Sequence, residues 1–370
     1  MNETKLTPRQ KFIINVVNEK EGVGRAEIEQ KVASFYPASK PTIARDLSSL
    51  VGGGVIKIKG SGRSTTYLPL TDNPVLKRFE LEQYFALEPD KRTGAKRTFD
   101  FSVFSHLTSL LTSEEIETVE RQNRKFTEAT TRLDRTIYLR ELERFVIELS
   151  WKSSKIEGNT YSLLETETLI KESVEASGRS KAEATMILNH KRAFESILAG
   201  RSDYEKISIS KILELHGFMV KGLSISRGIR EQAVGITGTA YKPLDNKWQI
   251  EEALEKLSAA INNSQYPLEK ALIASTMISY IQPFADGNKR TGRMLANAIL
   301  LAHDFFPLSY RSVDEDTYKK SLILFYEQGS IYHLKNIFAG QYKFALDTYF
   351  RMRQEGNIDY KALVNEGRKY

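Results

Sequence analysis

The chain has 370 residues, 41% of them hydrophobic, with 54 lysines and arginines against 47 aspartates and glutamates and no cysteine. That length exceeds a single core and points to two or three domains, while the missing cysteine excludes disulfides and thiolate metal sites. The net charge of +7 suits a polyanion partner without requiring one. No apolar run approaches the roughly 20 residues that span a bilayer, and the start Met1-Asn2-Glu3-Thr4 lacks a signal-peptide pattern. A reducing cytoplasm is the expected location, with no membrane partner.

Residues 1–70 have their own pattern. Thr7-Pro8 caps and starts a helix carrying Phe12, Ile13, Val16 and Val17; Arg25 to Phe35 reads as a second; Ser39 and Pro41 open a third with Ile43, Leu47 and Leu50 inward. Val55 to Lys59, a Gly60 to Ser64 turn and Thr65 to Leu68 then read as a two-stranded hairpin. The order resembles a winged helix-turn-helix (α+β) domain. Lys40, Thr42, Arg45 and Ser49 face away from the apolar stripe of the third helix, and Lys57, Lys59 and Arg63 give the hairpin a basic edge. Such a surface suits DNA, the alternative being a protein-docking or dimerisation module.

Residues 71–130 read as bridging helices or linker, with Pro74 to Glu88 apolar enough for a helix between the two larger parts. Lys91 to Arg97 and the last ten or so residues have the composition of disorder. Leu139, Leu142, Phe145, Val146 and Leu149 recur at helical spacing and put Glu157 near a helix C-terminus, where a carboxylate opposes the dipole and needs a partner.

The most informative stretch is 282–293, Gln-Pro-Phe-Ala-Asp-Gly-Asn-Lys-Arg-Thr-Gly-Arg. An apolar helix ends at Pro283 and another begins after Gly287, so the loop delivers a helix N-terminus. Its first amides, from Gly287, Asn288 and Lys289, favour an anion. Gly287 permits a sharp turn, Arg290 and Arg293 share a helix face and suit phosphate oxygens, and Asp286 supplies an oxygen suited to Mg²⁺. Phe284 is expected as a core anchor.

This stretch resembles the Fic (Fic/Doc, Fido) family signature His-Pro-Phe-x-Asp/Glu-Gly-Asn-Gly/Lys-Arg-x-x-Arg at Pro283, Phe284, Asp286, Gly287, Asn288, Arg290 and Arg293. Gly235 to Pro243 resembles the family's β-hairpin flap and Gly228-Ile229-Arg230 the segment before it; Leu188 to Lys191 and Leu213 to His216 resemble the supporting helices. The resemblance implies a mainly α fold, a Fic-type helical core with a small β-hairpin flap. It divides the chain into 1–70, 71–130, a Fic domain at 131–345 and a tail at 346–370. It implies AMP transfer from ATP, with Mg²⁺, to a hydroxyl of a target protein or of the chain itself, and a homodimer. Asp286, Asn288, Arg290 and Arg293 take catalytic roles, and Thr237 and Tyr241 on the flap join Gly287 and Lys289 in nucleotide contact. Tyr241 is equally suited to packing on its own hairpin.

Two positions depart from the pattern. Gln282 stands where the family has its histidine base, and an amide does not take up a proton near neutral pH. Lys289 resembles the Doc branch, which transfers phosphate. Ser153-Ser154-Lys155-Ile156-Glu157-Gly158 matches the family's inhibitory helix, implying that Glu157 pairs with Arg293 where the ATP γ-phosphate belongs. The alternative to a self-inhibited adenylyltransferase is a nucleotide-responsive, DNA-binding regulator without chemistry.

Overall fold

The structure is a computed structural model describing residues 6–349 apart from Glu21 and Arg132. Its first unit holds α1 (Pro8–Asn18), β1 (Val23–Gly24), α2 (Arg25–Ala33), α3 (Lys40–Gly52), β2 (Ile56–Lys59) and β3 (Thr66–Pro69). Thr7 and Gln10 form a reciprocal capping box that satisfies orphan donors at the start of α1, and Ser39 caps α3. The strands lie in the order β1-β3-β2, all antiparallel, with Ile58 opposite Tyr67. Ile13, Val17, Ile28, Val32, Ile43, Leu47 and Ile56 form a separate apolar core.

The chain then crosses to the larger unit. Pro74–Glu88 is not one helix: a 3-10 turn at Pro74–Leu76 and the short α4 (Leu81–Phe85) flank an extended stretch. Side chains of α1 supply that stretch with partners. Asn15 Nδ2 donates to the Glu80 carbonyl at 3.1 Å, the Glu80 amide donates to Asn15 Oδ1 at 2.6 Å, and Asn18 donates to the Arg78 carbonyl. Backbone groups that a helix would pair internally are thus paired from outside. Val75, Val103, Leu107, Leu110 and Val119 enter the main core. Lys91 to Arg97, expected as disorder from its charge, is ordered: the Arg92 side chain is 6% exposed and pairs with the buried Glu327 at 2.9 Å.

The remaining helices are α5 (Ser113–Thr131), α6 (Arg135–Ile156), α7 (Leu163–Glu172), α8 (Lys181–Ala199), α9 (Ile209–Met219), α10 (Lys247–Asn263), α11 (Pro267–Ile281), α12 (Asn288–Ala302), α13 (Glu315–Gln328) and α14 (Tyr332–Thr348). The helical class expected from the sequence is therefore observed. From Ala271 onward every residue of α11 is buried, so this helix, apolar nearly all round, forms the centre. α12 packs along it, and α6, α8 and α9 support α12 from behind. Of the expected tail, 350–370 lies outside the described residues. None of the helices among the described residues is long and apolar enough to cross a membrane.

The segment 234–243 corrects the sequence reading. No hairpin forms there among the described residues; the segment is a loop with one parallel bridge, Lys242 to Thr98. Gly238 turns the chain as a hairpin would, but the backbone beyond it finds partners on the connector, where the Lys242 amide donates to the Arg97 carbonyl at 2.9 Å.

Close approach of α11 and α12 depends on Gly292, where an added Cβ would lie 2.9 Å from the Ser275 carbonyl oxygen and 3.3 Å from its Cα. Both obstacles are backbone, so the helices themselves must separate. Gly292→Ala is expected to destabilise the protein by about 1–3 kcal/mol through overpacking, measured by urea denaturation; an unchanged midpoint would mean that the helix pair tolerates the shift.

Candidate nucleotide-binding site

The turn between α11 and α12 is held from three sides. Gln282 caps α11 in the left-handed region, φ 51° and ψ 57°, which is uncommon for a residue with a side chain. Arg230, 5% exposed, pins that geometry: its Nε donates to the Gln282 carbonyl at 2.7 Å, its amide donates to the Pro283 carbonyl at 3.0 Å, and its guanidinium also reaches the Leu244 carbonyl. Nothing in the local sequence around Arg230 announces this role beyond its place before the loop. Phe284 is fully buried and lies flat on His216, ring centres 3.7 Å apart. Burying such a ring stabilises by about 1.5–3 kcal/mol, which makes it an anchor rather than a ligand contact. His216 also donates from Nε2 to the Asp286 carbonyl at 3.0 Å, and burial holds this imidazole neutral, down to about 4.

Asn288 ties the loop from within. Its Oδ1 accepts from the Phe284 amide at 2.9 Å, and its Nδ2 donates to the Phe284 carbonyl at 2.8 Å and to Gln282 Oε1 at 2.9 Å. Gln282 Nε2 donates to the Ser279 carbonyl at 2.7 Å. Both amide side chains are thus committed to the fold of the turn, which corrects the reading of the Asn288 side chain as a phosphate cradle. Gly287 begins α12 at φ 82°, and its amide faces Asp286 Oδ1 at 2.5 Å. That leaves the amides of Asn288 and Lys289, in the first helical turn ahead of any intrahelical acceptor, as the main-chain anion donors.

A cavity of about 520 Å³ opens at this helix start, lined by Glu157, Gly158, Val234 to Thr237, Gln282, Ala285 to Arg290, Lys319, Leu322, Ile323 and Tyr326 among others. The two arginines of the turn are buried, Arg290 2% exposed and Arg293 0%. Arg290 Nη2 reaches Asp286 Oδ2 at 3.1 Å, while its Nη1 is buried without a hydrogen-bond partner. Burial pushes the Arg290 guanidinium down from its ordinary value, with Asp286 and Glu157 opposing. The Asp286 side chain, by contrast, is 66% exposed. Thr237 is at the cavity edge, but Tyr241 is not among the lining residues. Its hydroxyl donates to the Tyr280 carbonyl at 2.9 Å and its ring stacks on Tyr280, so it belongs to the core because the loop beside it turns inward rather than pairing as a hairpin.

Glu157 stands at the C-terminus of α6 and meets Arg293 Nη1 at 2.9 Å and Lys289 Nζ at 3.6 Å. The Arg293 contact is an ion pair rather than a directed hydrogen bond, since neither facing atom has a hydrogen-bonded partner. Burial works against ionisation of Glu157, but the charges of Arg293 and Lys289 outweigh it and hold the carboxyl below its ordinary value. The rest of Arg293 is fixed by Ser153: Nε donates to Ser153 Oγ at 3.0 Å and Nη2 to the Ser153 carbonyl at 2.8 Å. Ser153 is in turn oriented by His190. The Met186 carbonyl can only accept, so His190 Nδ1 carries the proton, and the neutral ring's Nε2 accepts from the Ser153 hydroxyl at 2.8 Å. Burial holds this ring down at about 3, so the arrangement is insensitive to pH near neutrality.

Residues 206–300 match the model of the Fic/DOC family. This stretch is a Fic domain. The chain is 30% identical over 183 residues to a protein of Nematostella vectensis called Protein adenylyltransferase Fic, covering 46% of this chain and 41% of that protein. It is 27% identical over 160 residues to Protein adenylyltransferase fic-1 of Caenorhabditis elegans, 41% of this chain and 31% of that one. The chain therefore spans less than half of these relatives. In fold it is similar to Fic-1 (aa134 - 508) from C. elegans, with a TM-score of 0.53 at 20% identity over 69% of this chain and 73% of that one. A Fic family protein from Desulfovibrio desulfuricans G20 gives a TM-score of 0.52 at 19% identity over 70% and 77%. The matched region of the Fic domain contains both arginines and the cavity turn, while Glu157 reaches it from α6 outside that region.

Because Glu157 is held below its ordinary value near 4.5, the stability it contributes is full above that value and is lost as pH falls through the lower folded one. Between wild type and Glu157→Gln, the difference in unfolding free energy is expected to be about 1–3 kcal/mol at pH 7 and to shrink below about pH 4. A difference that stays constant down to pH 3 would contradict the ion pair.

Proposed function

We infer that the chain is a self-inhibited protein adenylyltransferase whose base position, Gln282, withholds turnover. The observation that carries this reading is the Arg290 Nη1, a buried cationic donor without a partner at the mouth of a helix N-terminus. An anion with several oxygens matches it. In the reaction, a target hydroxyl oxygen forms a bond to the α-phosphorus of ATP and the bond from that phosphorus to the bridging oxygen breaks, releasing pyrophosphate. The hydroxyl proton needs an acceptor.

Arg290, Arg293 and the Asn288 and Lys289 amides are assigned to the phosphates, and Thr237 to the edge of the nucleotide. Asp286 is exposed, borders the cavity and is a single carboxylate, which suits Mg²⁺ that takes its other ligands from phosphate and water; when bound, the ion would neutralise phosphate charge. Gln282 stands where the proton must go and its amide is already engaged by Ser279 and Asn288. Positioned base catalysis is worth about 10²–10⁴-fold, so binding survives where transfer does not. Glu157, followed by Gly158 and facing an Arg293 that Ser153 orients, occupies the anion position on that guanidinium and is assigned the inhibitory role.

Residues 1–70 are proposed as a winged helix that binds DNA. Supporting this, Lys40, Arg45 and Ser49 are exposed on the side of α3 away from its core. Thr42 is partly spent on the cap with Ser39, Lys57 pairs with Asp72 at 2.5 Å, and the Arg63 side chain lies outside the described residues. A homodimer is proposed from the family resemblance.

The test is incubation of the chain, its Gln282→His form and the Gln282→His, Glu157→Gly form with α-labelled and γ-labelled ATP. Label from the α-position alone, at least about 100-fold above the unaltered chain and highest in the double variant, is the expected result. Label from the γ-position would assign the phosphate transfer that Lys289 resembles, and none in any form would leave a nucleotide sensor.

A further inference from the structure

The loop that walls the cavity, Val234 to Thr237, has no strand to hold it, and what holds it lies far away in sequence. Glu327, in the last turn of α13, is 0% exposed. A carboxylate near a helix C-terminus opposes the dipole, and a buried one is costly without donors. Glu327 has three. Tyr84 Oη donates to Oε2 at 2.7 Å; Arg92 Nη1 and Thr239 Oγ1 donate to Oε1 at 2.9 and 2.6 Å. The same Arg92 Nη1 donates to the Gly238 carbonyl at 3.0 Å. Gly238 and Thr239 are the two residues that follow the cavity wall, so one buried ion pair grips the loop through both a side chain and a backbone carbonyl.

The other end of this grip reaches the first unit of the chain. The Lys96 amide donates to the Glu327 carbonyl at 2.7 Å, and Thr93, between Arg92 and Lys96, donates from its hydroxyl to Glu19 at 2.6 Å. Glu19 follows α1 directly and also holds Lys31 of α2 at 2.6 Å. From α1 to the cavity wall, polar contacts and the one- or two-residue chain segments between them form one path centred on one carboxylate.

We propose that Glu327 is a positioning residue for the nucleotide site, clamping the cavity-wall loop to the connector that is seated on the N-terminal unit. The proposal deepens the nucleotide reading given above and rests on it for the identity of what the loop positions. By linkage, a partner that shifts α1 against the connector loosens the wall, and a nucleotide that braces the wall steadies the N-terminal unit to the same degree.

Thr239 offers the mildest test, because Thr239→Val keeps shape and removes a neutral hydroxyl, whereas changes at Glu327 or Arg92 leave a buried charge unpaired; the same hydroxyl accepts from the Tyr241 amide at 3.1 Å, so that amide is left out of the exchange readout. Amide hydrogen exchange is measured on full-length wild type, Thr239→Val and Thr239→Ser without nucleotide. Loss of a hydrogen bond to a charged acceptor is expected to speed exchange at 234–242 by on the order of tenfold, with α12 unchanged and Thr239→Ser close to wild type. ATP dissociation constants are then measured for all three in the Glu157→Gly background, where Thr239→Val is expected to bind several-fold more weakly and Thr239→Ser normally. Unchanged exchange at 234–242, or faster exchange with unchanged affinity, overturns the proposal. Absence of nucleotide binding in the Glu157→Gly parent itself would strike the functional reading instead, and the exchange result would still report on the clamp.

Discussion

One buried guanidinium organises the site. Arg293 carries a full charge at 0% exposure in the wall between α6 and α12, and a charge so placed needs an anion close by. Within the chain that anion is Glu157. On the function proposed above, a phosphate arriving at the start of α12 competes for the same guanidinium, so repression and ligand binding would be two answers to one electrostatic demand. The fold serves this competition: Ser153 and His190 fix the guanidinium from behind, and Arg230, His216 and Asn288 hold the turn in front.

The strength of the restraint follows from how the pair is built. The Glu157 side chain keeps 19% of its surface exposed and its contact with Arg293 lacks hydrogen-bond direction, while Lys289 adds a second charge at 3.6 Å. The facing Oε1 and Nη1 are both buried, so on the proposed reading the pair gives way only when the carboxylate moves off the guanidinium. Lys289, the residue that departs from the adenylylating pattern, sits on Glu157 here, and on the proposed function this would tie a position associated with the choice of transferred group to the repression of the site.

The sequence made the turn and its charges legible because every residue involved lies within twelve positions and each has a local physical reason: Gly287 for positive φ, Phe284 for the anchor, the arginines for phosphate. Glu157 was legible through a second short pattern. What was not legible depends on distant partners. Gly235 to Pro243 reads as a hairpin by its resemblance to the family's flap, yet this backbone is held by Arg92, Arg97 and Glu327, up to 146 residues away. The Lys91 to Arg97 stretch reads as disorder from its charge, but one buried carboxylate orders it. Tyr241 was expected on the flap, at the nucleotide or packed on its own hairpin, and lies instead in the core against Tyr280. Asn288 was read by its place in the motif, whereas its three hydrogen bonds are spent on the turn.

Competition for Arg293 is tested most directly by calorimetric titration of ATP with magnesium into the full chain and into its Glu157→Gly form. The account predicts binding in both, tighter in Glu157→Gly by on the order of tenfold, the equivalent of about 1.4 kcal/mol. Equal affinity in the two forms, or no heat in either, would contradict it.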